Sequence, residues 1–352
     1  MRAWEKNIRR VEPYVPGEQP KVDNVIKLNT NENPYPPAPK AYEAAKAFDM
    51  DKLRLYPDPE CSALVHSIAQ YYGMDDNEVF TGVGSDDVLA MIFMTFFNSK
   101  KPILFPDITY SFYDVWANML RIPFETKALD DDFQIKKEDY YGENGGVVFP
   151  NPNAPTGILM PLSEIEDIIA HNRDVIVVVD EAYIDFGGES ALPLIEKYDN
   201  LLVVQTFSKS RSLAGMRLGF AMGNEKLIRY INDVKYSFNS YTLNQTALVL
   251  GVQAIRDREY FEETCAKVIA TREWTKCELK KLGFSFGDSM SNFIFATHER
   301  VPAKEIFEAL REHNIFVRYF SKPRISNYLR ISIGTQQEME RLIAFLAVFL
   351  GE

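Results

Sequence analysis

Six short runs of β-branched and aromatic residues, separated by stretches of helical character, constrain this chain more than any other feature. They are "EVFTG", "KPILFP", "GVVFP", "DVIVVVD", "LLVVQTF" and "RLGFAMG", all between residues 61 and 223. Strands of this kind are apolar on both faces, so a sheet built from them must be covered on both sides. Helices between them predict a parallel α/β sheet. Around this region, residues 1–60 are rich in proline, asparagine and tyrosine and read as an extended arm, with a short helix near Ala41–Phe48. Residues 224–284 read as helical. The last 70 or so residues hold the strands "NFIFAT", "IFVRYF" and "YLRISIG" and a closing helix that starts in a capping box, Thr335 with Glu338.

Charge and cysteine usage exclude several classes of function. With 39 basic against 50 acidic residues the net charge is −11, which argues against nucleic acid as a partner. A small phosphorylated ligand, needing only a few local donors, stays open. Cys61, Cys265 and Cys277 have no paired spacing, and the four histidines are scattered, so neither a disulfide framework nor a metal site is expected. The apolar runs "VLAMIFMTFF" and "LIAFLAVFL" are about half the roughly 20 residues a membrane span needs. A cytoplasmic protein with free thiols is expected, away from membranes.

In open α/β sheets ligands collect at the carboxyl ends of the strands, and four of these ends carry unusual residues. After "EVFT" comes "GVGSDD", where Ser85 and Asp86 open an apolar helix. This is either a plain glycine turn with its cap or a cradle for a phosphate. After "GVVF" comes the rigid polar loop "PNPNAPTG", which a β-turn cluster would also explain. Asp180 follows "DVIVVV" at the rim of a buried strand, so its carboxylate needs a partner, from an arginine or from a cationic ligand nitrogen. Tyr183 adds a phenol three residues later. After "LLVVQ" come Thr206, Ser208 and Lys209, with Arg217 close behind.

One lysine at a strand end is usually a solvated side chain. A lysine, a buried acid, a phenol and a set of phosphate donors on one sheet edge are instead the needs of pyridoxal 5'-phosphate. An amine condenses with its aldehyde, a carboxylate keeps its ring nitrogen protonated, and hydroxyls, helix amides and an arginine hold its phosphate.

The chain resembles the fold-type I, class II pyridoxal-phosphate-dependent aminotransferases, and among them the branch acting on histidinol phosphate. The resemblance rests on "PYVPG", "NTNENPYPP", "LYPDP", "GVGSDD", "PDITYSFY", "NPNAPTG", "DEAYIDF", "TFSKSRSLAGMRLGF" and "YLRISIGT", in that order along nearly the whole chain. It implies a large domain (41–250) with a mostly parallel seven-stranded sheet covered by helices. A smaller α+β domain (251–352) and an N-terminal arm (1–40) complete the fold.

The resemblance also implies roles. Lys209 is the lysine that forms the Schiff base and then shuttles the proton, Asp180 pairs with the ring nitrogen, Tyr183 meets the ring hydroxyl and Tyr110 stacks on the ring. Gly84, Ser85, Asp86, Thr206, Ser208 and Arg217 line the phosphate cup. Tyr56 reaches it from a second subunit, so a homodimer with shared sites is implied. Arg330 holds the substrate carboxylate, and Arg318 and Tyr14 lie near the distal phosphate. The implied substrates are histidinol phosphate and glutamate or 2-oxoglutarate, with Arg330 serving both half-reactions and Arg318 or Arg324 helping with the phosphate.

Several positions depart from the family pattern. Ala154 stands where an asparagine usually meets the ring oxygen, and Asn153 is the expected substitute. Arg211, in "KSRS" where the family has a small–aromatic–small segment, has no role in this reading. Pro36, Val83 and Leu55 replace a common glycine, asparagine and arginine. A threonine-phosphate decarboxylase, a broad aromatic-amino-acid aminotransferase, or a binding protein that kept the scaffold are the competing readings.

Overall fold

The computed structural model describes residues 2–351. In chain order the first half runs β1 (Ile26–Lys27), α1 (Pro39–Lys46), α2 (Ser62–Tyr72), β2 (Val79–Gly82), α3 (Gly84–Phe96), β3 (Ile103–Pro106), α4 (Tyr113–Leu120) and β4 (Phe124–Lys127). Then come β5 (Val147–Pro150), α5 (Leu162–His171), β6 (Val177–Asp180), β7 (Leu201–Thr206), β8 (Gly219–Gly223), α6 (Glu225–Phe238) and α7 (Gln245–Arg256). The remainder is α8 (Arg258–Lys281), β9 (Phe284–Phe286), β10 (Phe293–His298), α9 (Ala303–Glu312), β11 (Ile315–Phe316), β12 (Arg318–Tyr319), β13 (Leu329–Ser332) and α10 (Gln336–Leu350).

Seven strands form one sheet in the order β2-β8-β7-β6-β5-β3-β4. All neighbours are parallel except β8, which runs against both β2 and β7. Successive residues of the inner strands enter opposite cores. Val147, Val177, Val179, Leu201 and Val203 pack with α2, α5 and α7, while Val148, Val178, Leu202 and Val204 pack with α3, α4 and α6. Each such side chain contributes roughly 1.5–3 kcal/mol on burial, which is why the runs are apolar throughout.

The sheet register brings the noted strand ends together. Asp180 lies opposite Pro150 and Val204, and Thr206 opposite Gly219, which in turn faces Gly82. The ends of β2, β5, β6 and β7 therefore share one edge with the start of β8.

A second, antiparallel sheet, β12-β13-β10-β9, packs with α8, α9 and α10 around its own core. Strand β1 joins this unit by pairing in parallel with β11. The single strand expected at "IFVRYF" is two short ones, because the chain changes partner at Val317: β11 pairs with β1, and β12 with β13. The boundary expected after residue 250 falls inside α7, whose Val252, Ala254 and Ile255 belong to the core of the large sheet.

Candidate active site

Asp180 closes β6 behind three valines with no exposed surface, and is itself only 4% exposed. Tyr113 Oη donates to its Oδ2 at 2.9 Å and the Ala182 amide to its Oδ1 at 3.2 Å. Neither partner is charged, and among the described residues no cation pairs with it. Burial pushes the carboxyl up to about 6, against the pull of Tyr113 and Ala182. A carboxylate at this position lacks only a cationic partner.

Beside it the N-terminus of α3 forms a cradle. Its N-cap residue Val83 offers no side-chain cap, Asp87 Oδ2 accepting only from the Val83 amide at 2.9 Å, and the dipole end of a helix favours an anion there. Gly84 has φ +82°, and a Cβ added to Gly219 would lie 2.3 Å from the Ser85 amide nitrogen, so β8 approaches as only glycine permits. Thr206 Oγ1 donates to Ser208 Oγ at 3.0 Å. Arg217, at φ 54°, reaches Ser208 Oγ at 3.4 Å and Asp86 Oδ2 at 3.2 Å. Tyr110 Oη donates to Asp86 Oδ1 at 2.5 Å.

Lys209 enters from the loop after β7. Its Nζ donates to the Thr30 carbonyl at 3.0 Å and stands 5.8 Å from the Tyr183 ring centre. The Tyr183 hydroxyl accepts from Asn31 Nδ2 at 3.0 Å. Lys209, Asp180, Tyr183, Tyr110 and the cup side chains Ser85, Asp86, Thr206, Ser208 and Arg217 wall one cavity of about 180 Å³.

Other expected residues lie elsewhere. Asn153 does not line this cavity. Its Nδ2 donates to the Ile108 carbonyl at 2.9 Å and Thr156 Oγ1 at 3.1 Å, and its Oδ1 accepts from Thr109 at 2.9 Å. It is 2% exposed, with its amide engaged by Thr156 of its own loop and by Ile108 and Thr109 of the loop after β3, while Ala154 faces the cavity. Asn153, expected to meet the ring oxygen, thus has its side-chain amide taken up by protein partners. Arg324 donates to Asp107 at 3.1 Å and to the carbonyls of Leu129 and Asp130, so its guanidinium is already engaged. Tyr56 is 80% exposed and stacks on Tyr241, away from the cavity of its own chain.

Arg330 is half-buried. Its Nη2 donates to the Asn29 carbonyl at 3.1 Å, its Nε has no partner, and it makes no ion pair among the described residues. Burial lowers the pKa of its guanidinium, and nearby Arg318 adds to the effect. Arg318 and Tyr14 wall a second cavity of about 440 Å³, where Tyr14 stacks on Phe112 with ring centres 4.3 Å apart.

Sequence reasoning passed over four contacts. Tyr113 stands three residues after Tyr110, where a helix start turns both inward. Thr30, Asn31 and Asn33 sit in the quoted "NTNENP", whose density of short polar side chains was the available signal.

A cavity walled by a lysine amine and a buried acid beside a helix-end anion cradle defines a class, and the chain matches it. Residues 23–346 match the family described as aminotransferase class I and II, and the chain belongs to that family, whose chemistry runs on pyridoxal 5'-phosphate. Within it, the chain is 54% identical over 340 residues to the histidinol-phosphate aminotransferase of Clostridium botulinum (strain Langeland), covering 97% of this chain and 96% of that one. It is also 54% identical to histidinol-phosphate aminotransferase 1 of Hydrogenovibrio crunogenus, over 99% and 98% of the two chains. The fold is shared with the crystal structure of a histidinol-phosphate aminotransferase from Sinorhizobium meliloti in complex with pyridoxal 5'-phosphate. Its TM-score is 0.83 at 23% identity, over 93% of this chain and 91% of that one.

Proposed function

We propose that this chain exchanges an amino group between histidinol phosphate and 2-oxoglutarate, in histidine biosynthesis, as a cytoplasmic homodimer with shared sites. The reading rests on Arg330, whose guanidinium makes no ion pair among the described residues and keeps Nε without a partner, in the same molecule as a lysine–aspartate cavity. The residues present fit the cofactor: Asp180 awaits a cation, the α3 cradle and Arg217 suit a phosphate, and Lys209 is the amine on the wall.

When bound, pyridoxal phosphate supplies an electron-withdrawing ring that takes up the charge left on a substrate carbon as its proton departs. Lys209 Nζ would take up that proton and give it back two bonds away, on the far side of the transferred nitrogen. Asp180 keeps the ring nitrogen protonated, and Tyr113 and Ala182 fix the carboxylate's orientation. Tyr183, aimed by Asn31, offers its hydroxyl to the ring oxygen without an asparagine at position 154. Arg330 takes the carboxylate of glutamate in one half-reaction and the phosphate of histidinol phosphate in the other, since a guanidinium fork suits both anions.

Amine exchange assayed with histidinol phosphate and phenylalanine as donors tests this directly. A kcat/KM at least about 100-fold higher for histidinol phosphate is expected. Equal efficiency points to a broad aromatic enzyme, and carbon dioxide from threonine phosphate to a lyase. Arg330→Ala is expected to cost roughly 30-fold or more with both glutamate and histidinol phosphate, the scale of losing a buried charge contact. Arg324→Ala, which loses only a loop brace, should leave that ratio near one.

The homodimer is supported by exposed apolar side chains around Tyr56, among them Met50, Leu53, Leu55 and Tyr241. Lys209→Ala and Tyr56→Ala, each weak alone, should complement when mixed. One site of each hybrid then holds both native residues, restoring about a quarter of full activity if subunits exchange freely. No recovery, with exchange demonstrated by mass, would remove the shared site.

A further inference from the structure

The arginine without a role in the sequence, Arg211, is among the most buried cations of the molecule, 5% exposed and two residues from Lys209. Its guanidinium carbon lies 4.0 Å from the ring centre of Phe261, 4.8 Å from Tyr71 and 5.7 Å from Phe207. Nη1 donates to the Ala254 carbonyl in the last turn of α7 at 3.2 Å, where a cation also meets the negative end of the helix dipole. Nη2 has no hydrogen-bond partner and is surrounded by aromatic surface.

The opposite side of the loop is tied as well. Ser210 donates its hydroxyl to the half-buried Asp185. Burial raises the Asp185 carboxyl, while the field of Arg211 and the Ser210 hydroxyl draw it back toward the ionised form that accepts this bond. Asn33 Nδ2 holds the carbonyls of Lys209 and Ser210 at 3.1 Å each. The peptide bearing the lysine is thus fixed by Asn33 on one side and by the Ser210–Asp185–Arg211 group on the other.

We propose that Arg211 is a positioning residue for Lys209: wedged among three rings and bonded to the end of α7, it anchors the loop that aims the lysine amine. The inference rests on Lys209 being the cofactor lysine. An arginine suits the task because a flat guanidinium stacks and donates at once, which a compact ammonium does not.

The test uses the holoenzyme and its Arg211→Met variant, in which an apolar chain of similar length fills the aromatic box. The expected result is a kcat about tenfold lower, with KM within about threefold, since misplacing a reacting group by a fraction of an ångström has that order of effect. The pH midpoint of the bound cofactor's visible band should move by about half a unit or more, because the environment of the amine has changed. Arg211→Lys should recover part of that movement. An unmoved midpoint overturns the proposal, whether kcat is retained or falls together with the melting temperature of the cofactor-free protein, because either outcome leaves only a packing role. If Arg211→Met does not fold, Ser210→Ala releases the same loop from Asp185, and an unmoved midpoint there is equally decisive. A wild-type protein lacking any visible band counts against the proposed function rather than against this inference.

Discussion

Lys209→Ala is expected to abolish amino exchange, lowering kcat/KM by at least about 1,000-fold, the upper range for losing a positioned acid–base group. It is the amine on the cavity wall, and its Nζ contacts a carbonyl, that of Thr30, and no side chain that could replace it. The loop does not depend on Nζ for its shape, because Asn33 and Ser210 hold its backbone and hydroxyl. The variant should therefore fold, with a melting temperature close to the parent's. Hydride reduction of the cofactor-loaded parent should add the cofactor's mass to the peptide carrying Lys209, and the variant should show none. A labelled peptide elsewhere, or activity within tenfold of the parent, would contradict the assignment.

Asp180→Asn separates chemistry from stability. Without its carboxylate the ring nitrogen loses the group that keeps it protonated, and kcat is expected to fall by about 100-fold or more. The cofactor-free protein should respond in the opposite direction. The folded carboxyl sits at about 6, above an ordinary aspartate near 3.9 in the unfolded chain. The folded state thus holds the proton more tightly, so this group's contribution to stability is present below pH ~4 and is lost as pH rises through about 6. At pH 8 the buried charge costs up to roughly 3 kcal/mol, and the uncharged asparagine avoids it. Glu181, raised to about 7 by the same burial, is common to both proteins and cancels. Thermal unfolding of the cofactor-free pair at pH 4.5 and pH 8 should show the variant gaining on the parent at the higher pH. A constant difference across that range would mean the carboxyl is not shifted.

The large sheet was legible because its inner strands have only apolar neighbours, so their sequences contain little else. Strand β4 escaped notice for the opposite reason: "FETK" lies on the sheet edge with partly exposed side chains and carries charges. The cavity residues on strand ends could be read because such ends are where a two-sided sheet places ligands. Choices between neighbours could not. Asn153 and Ala154 differ by one step along a loop, and only the fold decides which faces inward. Arg324 and Arg330 are the same residue type six positions apart. One pairs with an exposed aspartate, the other makes no ion pair among the described residues and donates to the Asn29 carbonyl, and that difference is created by distant chain segments.

Residues 28 to 33 connect the two halves of the molecule through successive contacts. Leu28 accepts from the Ser332 amide, Asn29 from Arg330, and Thr30 from Lys209, while Asn31 donates to Tyr183 and Asn33 to the lysine loop. The carbonyl that accepts from Arg330 and the carbonyl that accepts from the Lys209 amine thus belong to consecutive residues, Asn29 and Thr30.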